Sequence, residues 1–235
     1  MNLFAVGFAA LALAGAARAQ SPVLAELFTS EGCSSCPPAD RLLETLDRTQ
    51  PVAGAQIIAL SEHVDYWNQL GWADPFSSAD LTGRQRRYAA KLDPDGVYTP
   101  QLVVDGGVSF VGGDRARALS EIVKAAKRRK AAVRVSNVVR NGNRVSARVD
   151  AEMPPGTALY LAVADQTASS NVARGENAGH KLNHVSVVRS LTSVKPGEVS
   201  AALPDGAGAN GLRVVAFVQE TKTLRVLGAA MAATN

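Results

Sequence analysis

The only two cysteines of this 235-residue chain stand together in Cys33-Ser34-Ser35-Cys36-Pro37-Pro38. They follow the apolar run Val23-Leu24-Ala25-Glu26-Leu27-Phe28 and precede Ala39-Asp40-Arg41-Leu42-Leu43-Glu44-Thr45-Leu46. A Cys-x-x-Cys set between a strand and a helix closes a small ring that opens and shuts with little backbone movement. The helix N-terminus beside it, with its unpaired N–H groups and dipole, favours the thiolate. A structural bridge is the competing use, although so short a loop removes little entropy from the unfolded chain. A four-cysteine zinc site is excluded by count, since the chain holds two Cys and three His.

The compartment bears on which use applies. Residues 2 to 15 carry no charge and are predominantly apolar, and Ala17-Arg18-Ala19 has the small-x-small form of a cleavage site before Gln20. The n-region lacks Lys or Arg, which departs from the usual leader. The expectation is a signal peptide over residues 1–19 and a mature protein in the periplasm or outside the cell, where disulfides persist. No membrane anchor is expected, because no later stretch approaches the eighteen or so apolar residues a spanning helix needs. Position 20 also offers no cysteine for lipidation. The net charge is +4. Its densest cluster, Lys124, Lys127, Arg128, Arg129 and Lys130, reads as helix-end cations complementing a dipole, and no nucleic-acid partner is expected.

Along the chain the patterns run strand (23–29), helix (38–48), strand (56–61), a polar and aromatic loop and helix (79–91). Strand (101–105), a Gly106-Gly107 turn, strand (108–111) and helix (114–129) follow. A helical crossover makes the first strand pair parallel, and Asp105-Gly106-Gly107 is hairpin chemistry, so a mixed four-stranded sheet with flanking helices is expected over residues 20–130. After residue 131 the pattern becomes seven short strands with turns such as Asn141-Gly142-Asn143, the spacing of a β-sandwich-like domain over 131–235.

The order of the first half, with Cys-x-x-Cys after its first strand, resembles the thioredoxin fold. In that resemblance Thr99-Pro100, just before the third strand, takes the place of a cis-proline facing the dithiol. It would leave the Thr99 backbone free to pair with an extended substrate. A trans proline opening a strand is the ordinary alternative.

The loop 62–76 holds both tryptophans, Trp67 and Trp72, and one histidine, His63. The C-terminal ends of parallel strands share one sheet edge, which places His63 near Cys33. There it would stabilise a thiolate, relay a proton, complete a soft metal site with the two sulfurs, or simply brace the loop. The aromatics are expected to pack on the sheet, and the charges of Arg84, Arg86 and Arg87 to be solvated. His180 and His184 lie four apart, but Lys181 stands where a zinc-hydrolase motif has glutamate, and the surrounding glycine and strand patterns oppose a helix.

The segments LFTSEGCSSCPPADRLL, HVDYWNQLGWADPFSS, RQRRYA, VYTPQLVVDG, RGENAGHKLNHVSVVR and VVAFVQETKTLRVLGAA together resemble the secreted thioredoxin-like family catalogued as domain of unknown function 1223. The resemblance spans nearly the whole mature chain and implies no settled activity. It assigns Cys33 and Cys36 to the dithiol and Pro100 to the cis-proline. Three departures from the thioredoxin pattern stand out: Gly32 before the first cysteine, Pro37-Pro38 after the second, and Glu26 one residue out of register from the usual buried acid. The Pro37-Pro38 pair leads us to expect a helix starting at Pro38, with Cys36 in a turn.

The functional expectation is a thiol-disulfide oxidoreductase acting on protein or small-molecule thiols and disulfides without a bound cofactor. Cys33 would be the more exposed nucleophile, Cys36 the resolving thiol, and Thr99-Pro100 the substrate dock. The alternative is a non-catalytic binding module, either holding Cu(I) through Cys33, Cys36 and His63 or binding a partner with a structural disulfide.

Overall fold

The structure, a computed structural model, describes residues 20–93 and 95–234. The expected signal peptide, residues 1–19, lies outside the described residues.

Strand β1 (Ser21–Thr29) is buried from Val23 onward on both faces, which is why its sequence runs apolar instead of alternating. Helix α1 (Pro37–Thr49) leads into β2 (Ala55–His63), which pairs parallel with β1 from Ser21↔Ala55 to Thr29↔His63. Helix α2 (Ala79–Leu92) follows, capped by the Ser78 hydroxyl accepting from Asp80 N–H. Strand β3 (Gln101–Val104) lies antiparallel to β1, and β4 (Val108–Val111) antiparallel to β3. Asp105 and Gly106, at φ 47° and 58°, turn that hairpin with two left-handed residues. Helix α3 (Arg115–Ala126) closes the half, with Asp114 accepting from Arg117 N–H at its start. It ends three residues earlier than its sequence pattern suggested.

Helices α1 and α3 cover one sheet face. Leu42, Leu43, Leu46, Ala118 and Ile122 pack there on Val23, Ala25, Leu27, Ile57 and Leu102. One local expectation is corrected: α1 begins at Pro37, and Cys36, at φ −77° and ψ −38°, is its N-cap. Both prolines fit because the first helical N–H groups have no intrahelical acceptor to lose. Ala39 and Asp40 N–H both donate to the Cys36 carbonyl, at 2.8 and 3.1 Å.

All seven strands expected after residue 131 are present, but their distribution differs from a self-contained sandwich. Strands β7 (Thr157–Asn171), β8 (Lys181–Val194), β10 (Leu212–Glu220) and β11 (Val226–Ala233) join the first four. One mixed eight-stranded sheet results, in the order β11-β10-β7-β8-β2-β1-β3-β4. Strand β8 meets β2 in parallel at Ser61↔Val187, covering an edge that a four-stranded sheet would leave open. Strands β5 (Val133–Asn141), β6 (Arg144–Ala151) and β9 (Gly197–Ala202) make a separate three-stranded sheet. Its Val145, Val149 and Val199 pack face to face on Leu161, Val163 and Val214 of β7 and β10.

The opposite face of the large sheet joins the two halves. Leu24, Ile58, Leu60 and Leu81 share a core there with Ala162, Val188, Val215 and Phe217. A buried polar network lies beside them. The Arg84 guanidinium stands 2.6 Å from Glu26 Oε1, and its terminal nitrogens donate to Tyr88 Oη at 2.9 Å and Gln219 Oε1 at 3.2 Å. Tyr88 donates in turn to Glu26 Oε2 at 2.6 Å. Arg84 is therefore a core residue, contrary to the solvated role expected of it, whereas Arg86 and Arg87 are exposed. Arg84 Nε also lies 3.6 Å from Glu62 Oε1, on the strand parallel to that of Glu26.

Candidate functional site

The loop after β1 carries the cysteines into the first turn of α1. Cys33 and Cys36 are joined as a disulfide, with Cα atoms 5.4 Å apart. Cys33 N–H donates to Ser30 O, and Cys36 N–H to Cys33 O, both at 3.2 Å, so the loop is two successive tight turns. Ser34 and Ser35 between them are exposed. The cysteines themselves are 0% exposed, which corrects the expectation that Cys33 stands out to solvent. The β7–β8 loop is bonded to this segment: Asn177 Nδ2 donates to Glu31 O at 2.8 Å and to Cys33 O at 3.0 Å.

Thr99-Pro100 has a cis peptide bond. Pro100 O accepts from Gly112 N–H at 2.9 Å. A Cβ added at Gly112 would lie 3.1 Å from Ala39 Cβ, 3.2 Å from Pro100 Cβ and 2.7 Å from Leu27 Cδ1. Gly112 is thus small because three elements close on it, and its smallness lets Pro100 approach Ala39 in the first turn of α1. Trp67 ties the two loops together. Its Nε1 donates to Thr99 Oγ1 at 2.8 Å, and its Cβ would be 3.1 Å from a Cβ at Gly32. Half-buried, it packs as expected and also bridges the residue before Cys33 to the residue before Pro100.

His63 makes no hydrogen bond to either sulfur; Cys33 Sγ instead lies 3.3 Å from the Ser35 hydroxyl. His63 is wholly buried, with Nδ1 2.7 Å from Asp74 Oδ2, the same oxygen that accepts from Glu31 N–H at 2.8 Å. It therefore reaches the cysteine loop through Asp74. Burial works against a charge on His63, but the Asp74 carboxylate, backed by Asp40 and Glu31, outweighs it and raises the imidazole above its ordinary value. Burial alone would raise Asp74; His63 and the Glu31 and Phe76 N–H groups hold it below its ordinary value.

A second histidine, His184, completes the cluster. Its ring stands 4.7 Å from that of His63, almost perpendicular, and the Phe76 ring packs edge-on against both. His184 Nε2 is 3.1 Å from Glu31 Oε1, an oxygen that also accepts from Ser170, while Trp72 Nε1 donates to Glu31 Oε2 at 2.8 Å. Asp40, in the first turn of α1, accepts from Thr29 Oγ1 at 2.8 Å and lies 3.8 Å from His184 Nδ1. Burial raises the Asp40 carboxyl above its usual range despite both histidines. Among the described residues, His63 Nε2 and His184 Nδ1 have no hydrogen-bond partner. Among the described residues, no three His, Cys, Asp or Glu side chains are arranged to hold a metal ion. Phe76 also lines a cavity of about 610 Å³ with Arg87, Tyr160 and Arg189, but no residue of the disulfide loop borders it.

Sequence reasoning placed Cys33, Cys36, Thr99 and Pro100 at one sheet edge and His63 nearby. It missed Glu31, Asp40, Asp74, His184 and the loop residues Glu176 and Asn177. A signal for the last two was present: Arg174-Gly175-Glu176-Asn177-Ala178-Gly179 separates two strands that pair as a hairpin, and hairpin connections of that length are uncommon without a role.

No curated protein matches the chain. The crystal structure of protein AGR_C_4864 from Agrobacterium tumefaciens is similar to it, at 28% sequence identity and a TM-score of 0.67, over 93% of this chain and 97% of that one. The model of the family described as protein of unknown function DUF1223 matches residues 24–219, from the first strand through the tenth, and the chain belongs to that family.

Proposed function

We propose that the protein is a secreted or periplasmic thiol-disulfide oxidoreductase, that residues 20–130 form a thioredoxin-like unit within the larger sheet, and that the remaining strands form its second, sandwich-like part. The observation that carries the reading is the Cys33–Cys36 disulfide at the N-terminus of α1.

The chemistry follows from which sulfur leaves. A substrate thiolate attacks Cys33 Sγ; the Cys33–Cys36 bond breaks as a substrate–Cys33 bond forms, and Cys36 departs as thiolate. Cys36 caps a 13-residue helix whose dipole stabilises that charge, and a better leaving thiolate leaves faster. Pro37 and Pro38 remove two N–H groups from the cap, so the dipole acts with few direct donors. A second substrate thiolate then attacks the substrate sulfur of the mixed disulfide and releases Cys33 as thiolate. The substrate is oxidised by two electrons, the protein takes up both, and the protons pass to solvent or to the thiolates. The reverse sequence reduces a disulfide. No bound cofactor is needed, and the partners are protein or small-molecule thiols and disulfides.

The test is trapping. Reduced Cys36→Ser protein mixed with oxidised glutathione should accumulate a stable glutathione adduct on Cys33, read by intact mass, whereas wild type should resolve it to the internal disulfide. No adduct on the folded variant, under conditions where the urea-unfolded variant forms one, would sink the reading.

A further inference from the structure

We infer that the β7–β8 loop is a latch that closes the exchange site in the resting oxidised protein. The inference rests on the reading of Cys33–Cys36 as an exchange site and concerns how that site is regulated.

The loop, residues 172–180, is built as a unit. Gly179 N–H donates to Val172 O at 2.8 Å and Val172 N–H to His180 O at 2.9 Å, which pinches its base, while Ala178 N–H donates to Gly175 O at 3.2 Å within it. Its residues are exposed except Val172 and Asn177, so little apolar surface holds it down. What holds it is three hydrogen bonds to the cysteine loop. Asn177 donates to the carbonyls of Glu31 and Cys33, and Glu176 Oε2 accepts from Ser34 N–H at 2.9 Å. Gly175 adds a close approach, 3.2 Å from its notional Cβ to Trp72 Cβ, at a φ of +78° that favours glycine. Every directional contact falls on residues 31 to 34, around a disulfide that is itself 0% exposed.

Exchange requires a nucleophile in line with the S–S bond, and a sulfur without accessible surface admits none. On this inference the loop, bonded along the cysteine segment, is the part that lifts to admit a thiol. Opening needs those three bonds to break and the Gly175–Trp72 approach to part, while the strands at its base remain paired from Asn171↔Lys181 onward. Segments held by few buried apolar contacts are those that open at low cost.

The probe is an uncharged phosphine, tris(hydroxypropyl)phosphine, used on the full mature chain. Its phosphorus attacks a sulfur and the S–S bond breaks. Water then supplies the oxygen of the phosphine oxide and the protons of two thiols, so the disulfide gains the two electrons the phosphine loses. This reaction reads access alone, independent of whether the protein exchanges with biological thiols; a failed glutathione trap and a failed latch are thus separate results.

Asn177→Asp keeps the side-chain size but removes both donors, and should speed reduction roughly tenfold or more, as loss of two hydrogen bonds implies. Glu176→Ala should speed it several-fold and accelerate hydrogen exchange at the Ser34 amide. Arg174→Ala, in the same loop but without a bond to the cysteine segment, should react at the wild-type rate. If Asn177→Asp does not fold, Glu176→Ala and the Ser34 amide decide the matter. Wild-type rates in both latch variants, or equal acceleration in Arg174→Ala, would overturn the inference.

Discussion

Asp74 gathers three hydrogen bonds on one buried carboxylate, from His63 Nδ1, Glu31 N–H and Phe76 N–H. Two pH windows follow. The raised His63 contributes stability that is complete below 6.5, its ordinary value, and is lost as pH rises through its higher folded value. The lowered Asp74 contributes stability present above 3.8 and lost as pH falls through its lower folded value. Between them the pair is charged and intact. We predict that Asp74→Asn costs about 3 kcal/mol near pH 5.5, as breaking a buried pair does, and less near pH 8.5, checked by urea unfolding at both pH values. Glu62 behaves oppositely to Asp74. Burial, then the neighbouring Glu26, raises it well above 4.5 against the pull of Arg84, and neither carboxyl oxygen has a hydrogen-bond partner. Its contribution is complete below 4.5 and is lost as pH rises through the folded value. Glu62→Gln should therefore flatten the fall in stability between pH 4.5 and 8.5, and a variant curve as steep as wild type would show that Glu62 is not its source.

At the scale of elements, α1, β1 and the cis-proline segment meet on Gly112. Gly112→Ala places a methyl 2.7 Å from Leu27 Cδ1 and close to Ala39 and Pro100, so the Leu27 side chain must shift and α1 or Pro100 must give by a few tenths of an ångström. We predict a loss of about 1–3 kcal/mol, as overpacking costs, in chemical unfolding, accompanied by slower glutathione exchange than in an equally destabilised core variant elsewhere. The elements themselves were legible in the sequence because each carries a local signature. The apolar run 23–28, the amphipathic 39–46 and the Asp105-Gly106-Gly107 turn needed no tertiary information. The start of α1 was less legible, since the pre-proline restriction on Pro37 argues one way and the suitability of proline for a first helical turn argues the other. The site was legible only where residues adjoin the cysteines or flank a strand end. His184 and Asn177 lie about 150 residues downstream and enter the site only because the β7–β8 hairpin folds back over α1, a long-range fact that no local pattern encodes.

For the whole molecule, the joining of both halves in one eight-stranded sheet was the part least legible in advance. The seven strands after residue 131 read as a separate sandwich, whereas burial draws four of them into the first sheet. The face of β1 and β2 bearing Leu24, Ile58 and Leu60 is covered by Ala162, Val188, Val215 and Phe217, and Arg84 is satisfied in part by Gln219. We predict that a fragment of residues 20–130 shows no cooperative thermal transition, because it exposes that apolar face, the β2 edge and an Arg84 network lacking one acceptor; a sharp transition would establish an independent unit.

If Cys33–Cys36 is an exchange centre, its reduction potential lies among those of working dithiols. Equilibrating the protein in glutathione buffers and counting alkylated thiols by mass should give a value between about −120 and −270 mV, the span of working exchange proteins. A value below about −300 mV, where structural disulfides lie, would contradict the account and leave Cys33–Cys36 a structural bridge.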